Sequence, residues 1–136
     1  MNPTVKAILT GITGAISAFV AIYLIESIGH VIYPPPENLD WNNADIVKSY
    51  VESLPIGALL FVLVGWFGGV VVGGSVVRLM MPEKTLLLTS VVAGLVEVAT
   101  IMNVTMIPHP EWFGIVAWLG VPIVGGVFGY LMQPKK

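Results

Sequence analysis

The chain has no cysteine among its 136 residues, and only 10% of its residues are charged. Without cysteine, disulfides, thiolate catalysis and cysteine-ligated zinc or iron–sulfur clusters are excluded. The sequence also has no nucleophile motif, phosphate-binding loop or flavin fingerprint, so we expect neither an enzyme nor a bound cofactor. A net charge of −2 is too small to indicate nucleic acid or another highly charged partner.

Apolar residues fill the chain instead, at 56% of the sequence, and they predict an integral membrane protein. A bilayer core about 30 Å thick needs about 20 helical residues per span. Four apolar stretches meet that length, near residues 6–32, 55–79, 85–107 and 112–132. The first is too long for a signal-peptide core and has no small-residue cleavage site, so we expect it to be retained. The predicted fold is all-α, a single domain of four antiparallel transmembrane helices.

The positions of the cationic residues predict the orientation of the chain. Five of the six lie at helix ends that share one side of the bilayer: Lys6, Arg78, Lys84, Lys135 and Lys136. Only Lys48 lies on the other side. Because cytoplasmic loops carry the excess of Lys and Arg, both termini are predicted to be cytoplasmic. Four aromatic residues then lie where an outer interfacial belt is expected, namely Tyr33, Trp41, Tyr50 and Trp112, and Tyr130 lies at the inner interface.

Residues 33–54 form the long outer connection. Pro34, Pro35 and Pro36 end the first helix, because proline cannot continue one. Asn42 followed by Asp45 resembles an N-terminal cap, and apolar residues then recur at helical spacing. We therefore predict a short amphipathic helix on the outer surface. The alternative is one long helix kinked at Pro55.

The two halves of the chain resemble each other weakly. Each half reads as a helix, an outer proline motif with a tryptophan nearby, and a glycine-rich helix. The motifs are Pro34–Glu37 with Trp41 and Pro108–Glu111 with Trp112. Two hairpins that both start in the cytoplasm would be related by an axis along the membrane normal. The alternative is that outer helix ends attract proline and tryptophan independently.

Glycines recur at four-residue spacing in the second and fourth spans. The helix-packing candidates are Gly65, Gly69 and Gly73 in one, and Gly125 and Gly129 in the other. Small residues let helix backbones approach closely in lipid, where helices gain nothing from hydrophobicity alone. These faces predict association, as a homo-oligomer or as an accessory subunit of a larger membrane complex. Packing inside the bundle is the alternative.

Ionisable side chains inside the spans are the candidates for chemistry, because a charge at the bilayer centre costs about 2.5–3.5 kcal/mol even on the lenient insertion scale. Glu97 lies near the middle of the third span. Glu26, His30, Asn103 and His109 all fall in the outer half. We predict a polar cavity that opens outward and ends at Glu97, which suits a minimal transporter or channel for protons, ions or a small solute.

The pair Glu26 and His30 can touch, because residues four apart share a helix face. We favour a structural hydrogen-bonded pair over a divalent metal held by these two residues and His109, since one i,i+4 pair makes a weak metal motif. No metal site is therefore predicted from the sequence.

Three segments resemble a family of small bacterial four-helix inner-membrane proteins with no assigned activity. They are the exit Tyr33-Pro34-Pro35-Pro36, the Leu54-Pro55 start of the glycine-rich second span, and the turn Met106-Ile107-Pro108-His109-Pro110-Glu111-Trp112-Phe113. The resemblance extends over nearly the whole chain. It implies a bacterial inner membrane and the four-span topology, and it carries over no functional residue.

Overall fold

A computed structural model describes all 136 residues and contains only helices. The helices are α1 (Pro3–Ile32), α2 (Ala44–Ser53), α3 (Ile56–Met80), α4 (Thr85–Met106) and α5 (Glu111–Met132), with a 3₁₀ turn at Pro82–Lys84. Four of them are long and apolar enough to span a membrane: α1, α3, α4 with its preceding turn, and α5. The protein is a multi-pass, all-α membrane protein, and the predicted spans are confirmed to within a few residues.

Prolines and caps set the ends of the helices. Asn2 caps α1 by accepting a hydrogen bond from the Thr4 backbone N–H at 2.8 Å, and Pro3 occupies the first helical position. Met81 leaves the helical conformation before Pro82, which separates α3 from α4. Pro110 precedes α5 in the same way. These ends fold the chain into an antiparallel bundle whose two termini lie at one end, with α2 at the opposite end, here called the α2 end.

The short helix α2 is present, but its cap is one residue later than the sequence indicates. The Asn43 side chain, and not that of Asn42, accepts hydrogen bonds from the backbone N–H groups of Asp45 and Ile46 at 3.1 and 3.2 Å. The Asn42 N–H instead donates to Asp40 in a turn before the helix. The alternative of one long kinked helix is wrong, because Leu54 is extended, with ψ of 135°. The following proline disfavours helical backbone at that position.

The helices pair within the two halves of the chain. The most extensive packing joins α1 to α3, and the next most extensive joins α4 to α5. We call these the first and second hairpins. Between them lies an apolar core that includes Trp66 and Phe113, whose rings meet edge to face with centroids 5.5 Å apart. Many apolar side chains on the outside are exposed, as expected for helices that face lipid.

All five glycines of the predicted packing faces are buried inside the chain. Gly65, Gly69 and Gly73 bring α3 against α1. A methyl group on Gly73 would lie 2.6 Å from the Gly14 carbonyl oxygen, so the two backbones touch there. Gly125 and Gly129 bring α5 against α4 in the same manner. These five residues therefore serve packing inside the bundle, the alternative given by the sequence.

Candidate functional site

A cavity of about 250 Å³ opens at the α2 end of the bundle. Four of the five polar residues predicted for the site line it together: Glu26, His30, Asn103 and His109. They come from α1, from α4 and from the link between α4 and α5. The direction of each span places them at one end, and the packing of the hairpins brings them around one space. We call this space the mouth cavity.

A second cavity of about 190 Å³ lies deeper between the hairpins. It shares Glu26 and Asn103 with the mouth cavity and is also lined by Trp66 and Thr100. Glu26 thus stands at the junction of the two cavities. We call the second space the inner cavity.

The Thr100 hydroxyl in the inner cavity has no hydrogen-bond partner in the protein, although the residue is only 1% exposed. Six other hydroxyls in the spans donate to the backbone carbonyl four residues earlier, the usual arrangement in a membrane helix. A buried hydroxyl without a partner costs free energy. Thr10 and Thr89 are buried without a partner in the same way, but of the three only Thr100 lines the inner cavity, to which it offers an unused polar group.

Glu97 lines neither cavity, which corrects the predicted funnel. It lies between Ala93 and Val104, on the side of α4 that packs against Gly125 and Gly114 of α5. The residue is half-buried, and its Oε2 atom is buried without a hydrogen-bond partner. The polar path therefore ends at Glu26 and Thr100, and Glu97 belongs to a different surface of the molecule.

Glu26 and His30 both face the mouth cavity, but no hydrogen bond or salt bridge joins them, so the predicted pair is not formed. His30 is exposed, whereas Glu26 is half-buried. No three His, Asp or Glu side chains lie close enough together to hold a metal ion. Glu26 and His30 thus offer their polar atoms separately to the cavity.

Two contacts hold the His109 ring in place, and its surroundings favour the neutral form. Its ring stacks on Phe113 with centroids 4.6 Å apart, and its Nδ1–H donates to the Ile107 carbonyl oxygen at 2.6 Å. Burial lowers the pKa of His109, an effect that the hydrogen bond to Ile107 only partly offsets. With the proton on Nδ1, Nε2 carries a lone pair and can accept a hydrogen bond.

Aromatic residues form much of the mouth cavity wall: Tyr33, Trp41, Tyr50 and Phe61. Tyr33 meets Phe61 edge to face at 6.2 Å, and Trp41 meets Tyr50 in the same way at 6.1 Å. Burial raises the pKa of the Tyr50 hydroxyl, which therefore stays protonated. The sequence predicts that Tyr33, Trp41 and Tyr50 belong to an interfacial belt, and it gives no signal that the connection between α1 and α3 brings them around a cavity.

Taken together, the two cavities combine a carboxyl group, two imidazoles, a carboxamide and an unpaired hydroxyl with an aromatic wall. Such a set suits the binding of a small polar solute through hydrogen bonds and ring contacts. Comparisons of the chain with family models, with curated proteins and with solved structures find no match.

Proposed function

We propose that the protein binds a small polar solute in the mouth and inner cavities and carries it across the membrane. The observation that supports this most is the convergence of Glu26, His30, Asn103 and His109 on one space. Polar side chains are costly within a membrane and are found where they line a substrate path. Their gathering around a cavity, with Thr100 below them, favours binding over a purely structural role.

The closed half of the bundle supports a carrier over a channel. Toward the termini the two hairpins touch: a methyl group on Gly74 would lie 2.8 Å from the Phe128 and Thr89 side chains, and one on Gly73 would lie 2.9 Å from Val92. Contacts this close leave no continuous pore between the hairpins at this end. A cavity open at one end and sealed at the other is the arrangement expected of one state of an alternating-access carrier.

The proposed location is a bacterial inner membrane, with both termini in the cytoplasm and the mouth cavity open to the outside. The resemblance to small bacterial membrane proteins supports the first part. Five of the six cationic residues lie at the end of the bundle that holds the termini, which supports the orientation. The lipid bilayer is the partner that the exposed apolar side chains of the spans contact.

The absence of cysteine allows a direct test of the cavity, because Asn103→Cys would carry the only thiol in the chain. In intact cells we expect a membrane-impermeant maleimide to label this variant at least about tenfold faster than the lipid-facing control Val127→Cys. Cationic, anionic, zwitterionic and uncharged solutes are then screened for protection of the Asn103→Cys thiol. A protecting solute should be taken up by proteoliposomes that contain the wild-type protein.

Two results would contradict this function. Labelling of Asn103→Cys no faster than that of Val127→Cys would show that the cavity is closed to the outside. Protection without uptake by proteoliposomes would show a binding protein and not a carrier.

A second candidate function is association, with another copy or with another membrane subunit, through the surface around Glu97. The observation that favours it is a half-exposed carboxyl group in the middle of a span, with an oxygen that has no hydrogen-bond partner within the chain. Nothing lies within 4 Å of the position where Gly94 or Gly126 would carry a methyl group, so a helix has room to approach there. A hydrogen-bond donor from a second chain would satisfy Glu97, as polar side chains do between membrane helices.

A further inference from the structure

We propose that the solute is a small organic cation, an amine or quaternary ammonium compound, held between the Glu26 carboxylate and the aromatic wall of the mouth cavity. This inference rests on the proposed function and specifies its substrate class. It depends on the charges around the cavity, on the aromatic side chains that line it, and on the hydrogen-bonding groups below them.

The charges around the mouth cavity favour a cation. Neither cavity is lined by lysine or arginine, and Glu26 is the one acidic residue in both. In the outer connection and at the start of α5, the α2 end carries five carboxylates and a single lysine: Glu37, Asp40, Asp45, Glu52, Glu111 and Lys48. The Lys48 ammonium group lies 4.0 Å from the Glu52 carboxylate, so its charge is partly offset. A surface of this sign concentrates cations near the opening and repels anions.

The wall of the mouth cavity suits an organic cation better than a hydrated metal ion. Tyr33, Trp41, Tyr50 and Phe61 supply rings whose faces attract ammonium groups, the interaction used wherever quaternary ammonium ligands are recognised. A metal ion would need several oxygen or nitrogen ligands, and no suitable group of acidic and histidine side chains is present. The cavity volume of about 250 Å³ lies just below the range of drug-sized pockets, which favours a small molecule.

The remaining polar groups are compatible with a positively charged ligand. Because His109 donates its Nδ1–H to Ile107 and is neutral, it adds an acceptor and no positive charge. Asn103 and Thr100 supply a carboxamide oxygen and a hydroxyl oxygen, both able to accept from an N–H or O–H of the ligand. A cation beside Glu26 also stabilises the ionised form of that carboxyl group.

Choline and its uncharged isostere 3,3-dimethylbutan-1-ol test this assignment, because they differ in charge and have nearly the same shape. Titration calorimetry on the protein in nanodiscs should show saturable choline binding and an affinity for the isostere at least about tenfold weaker. Glu26→Gln should weaken choline binding by at least about tenfold. The control Glu97→Gln, which lies outside both cavities, should change it by less than about twofold.

A second pair of variants tests the aromatic wall without touching the carboxylate. Trp41→Leu should weaken choline binding by about fivefold or more, whereas Trp118→Leu, at an exposed position outside both cavities, should leave it unchanged. If gel filtration and thermal unfolding show that Glu26→Gln does not fold, the two tryptophan variants still test whether the cavity binds an organic cation.

Equal binding of choline and its isostere, or no choline binding at all, would overturn the inference. So would an equal loss of affinity in Glu26→Gln and Glu97→Gln, or in Trp41→Leu and Trp118→Leu. If an anionic or uncharged solute nevertheless protected the Asn103→Cys thiol and was taken up, the carrier function would stand and only the substrate class would be wrong.

Discussion

At the scale of single residues, the burial of His109 against Phe113 makes the folded protein sensitive to acid. Burial lowers the pKa of His109 in the folded state, so the unfolded chain takes up a proton at higher pH than the folded one. The stabilisation from neutral His109 is therefore complete above about pH 6.5, the unperturbed histidine value. It is lost as the pH falls through the folded-state pKa.

We accordingly expect the melting temperature in detergent to fall between pH 7.5 and pH 5.5, a range that avoids most carboxylate titration. In His109→Gln the decrease should be smaller, because glutamine has no proton to take up. The measurement is thermal unfolding of both proteins across that range. Parallel curves for the two proteins would show that His109 is not the titrating group.

Span direction alone was enough to predict that Glu26, His30, Asn103 and His109 lie at one end of the bundle. It was not enough to predict which neighbour each side of a helix faces. Glu97 and Thr100 lie on one broad arc of α4, yet Thr100 lines the inner cavity while Glu97 lies beside the contacts with α5. The helical period of 3.6 residues predicts which residues share a face of a helix. It does not predict which neighbouring helix that face packs against.

At the scale of helices, the contact between α1 and α3 depends on glycine. A methyl group on Gly73 would lie 2.6 Å from the Gly14 carbonyl oxygen and 2.9 Å from Val92. Since a backbone carbonyl cannot move aside without shifting the helix, we expect Gly73→Ala to destabilise the fold by about 1–3 kcal/mol, the usual cost of overpacking. The measurement is reversible unfolding in detergent, or the melting temperature where unfolding is irreversible.

Gly126→Ala is the matched control in another span. Nothing lies within 4 Å of its added methyl group, and alanine favours a helix over glycine by about 1 kcal/mol. We expect no loss of stability from this variant. Equal destabilisation by the two substitutions would mean that Gly73 acts through helix propensity and not through its contact with α1.

The helices themselves were largely predictable, because span length and proline position are local properties. The Asn43 cap lies one residue from the predicted one, since several neighbouring Asn and Asp side chains can each cap a backbone N–H. The place of α2 against the bundle was not predictable. Val47 and Val51 are buried as the helical spacing indicates, but spacing does not say that the same helix brings Tyr50 to the mouth cavity.

At the scale of the whole molecule, Glu97 offers a test of association. If its carboxyl group bonds a second chain, the wild-type protein extracted in mild detergent should have at least twice the mass of one chain. Glu97→Leu should then be a single chain, because an interhelical hydrogen bond in a membrane contributes about 1–2 kcal/mol. Native mass spectrometry gives both masses.

Glu97→Gln provides the control, because an amide can still form a hydrogen bond and should retain the assembly. A wild-type protein with the mass of one chain, in detergent and in nanodiscs alike, would count against association through this surface.

The arrangement of the two hairpins has a mechanical consequence. Within each hairpin glycines bring the helix backbones into contact, whereas the glycine contacts between the hairpins are to side chains. The inner cavity lies on that boundary, with Glu26 and Trp66 on one side and Thr100 on the other. Tilting one hairpin against the other would therefore reshape the cavity and leave the backbone contacts within each pair intact. The two hairpins could therefore move as rigid bodies, with the polar inner cavity at the boundary where their relative position changes.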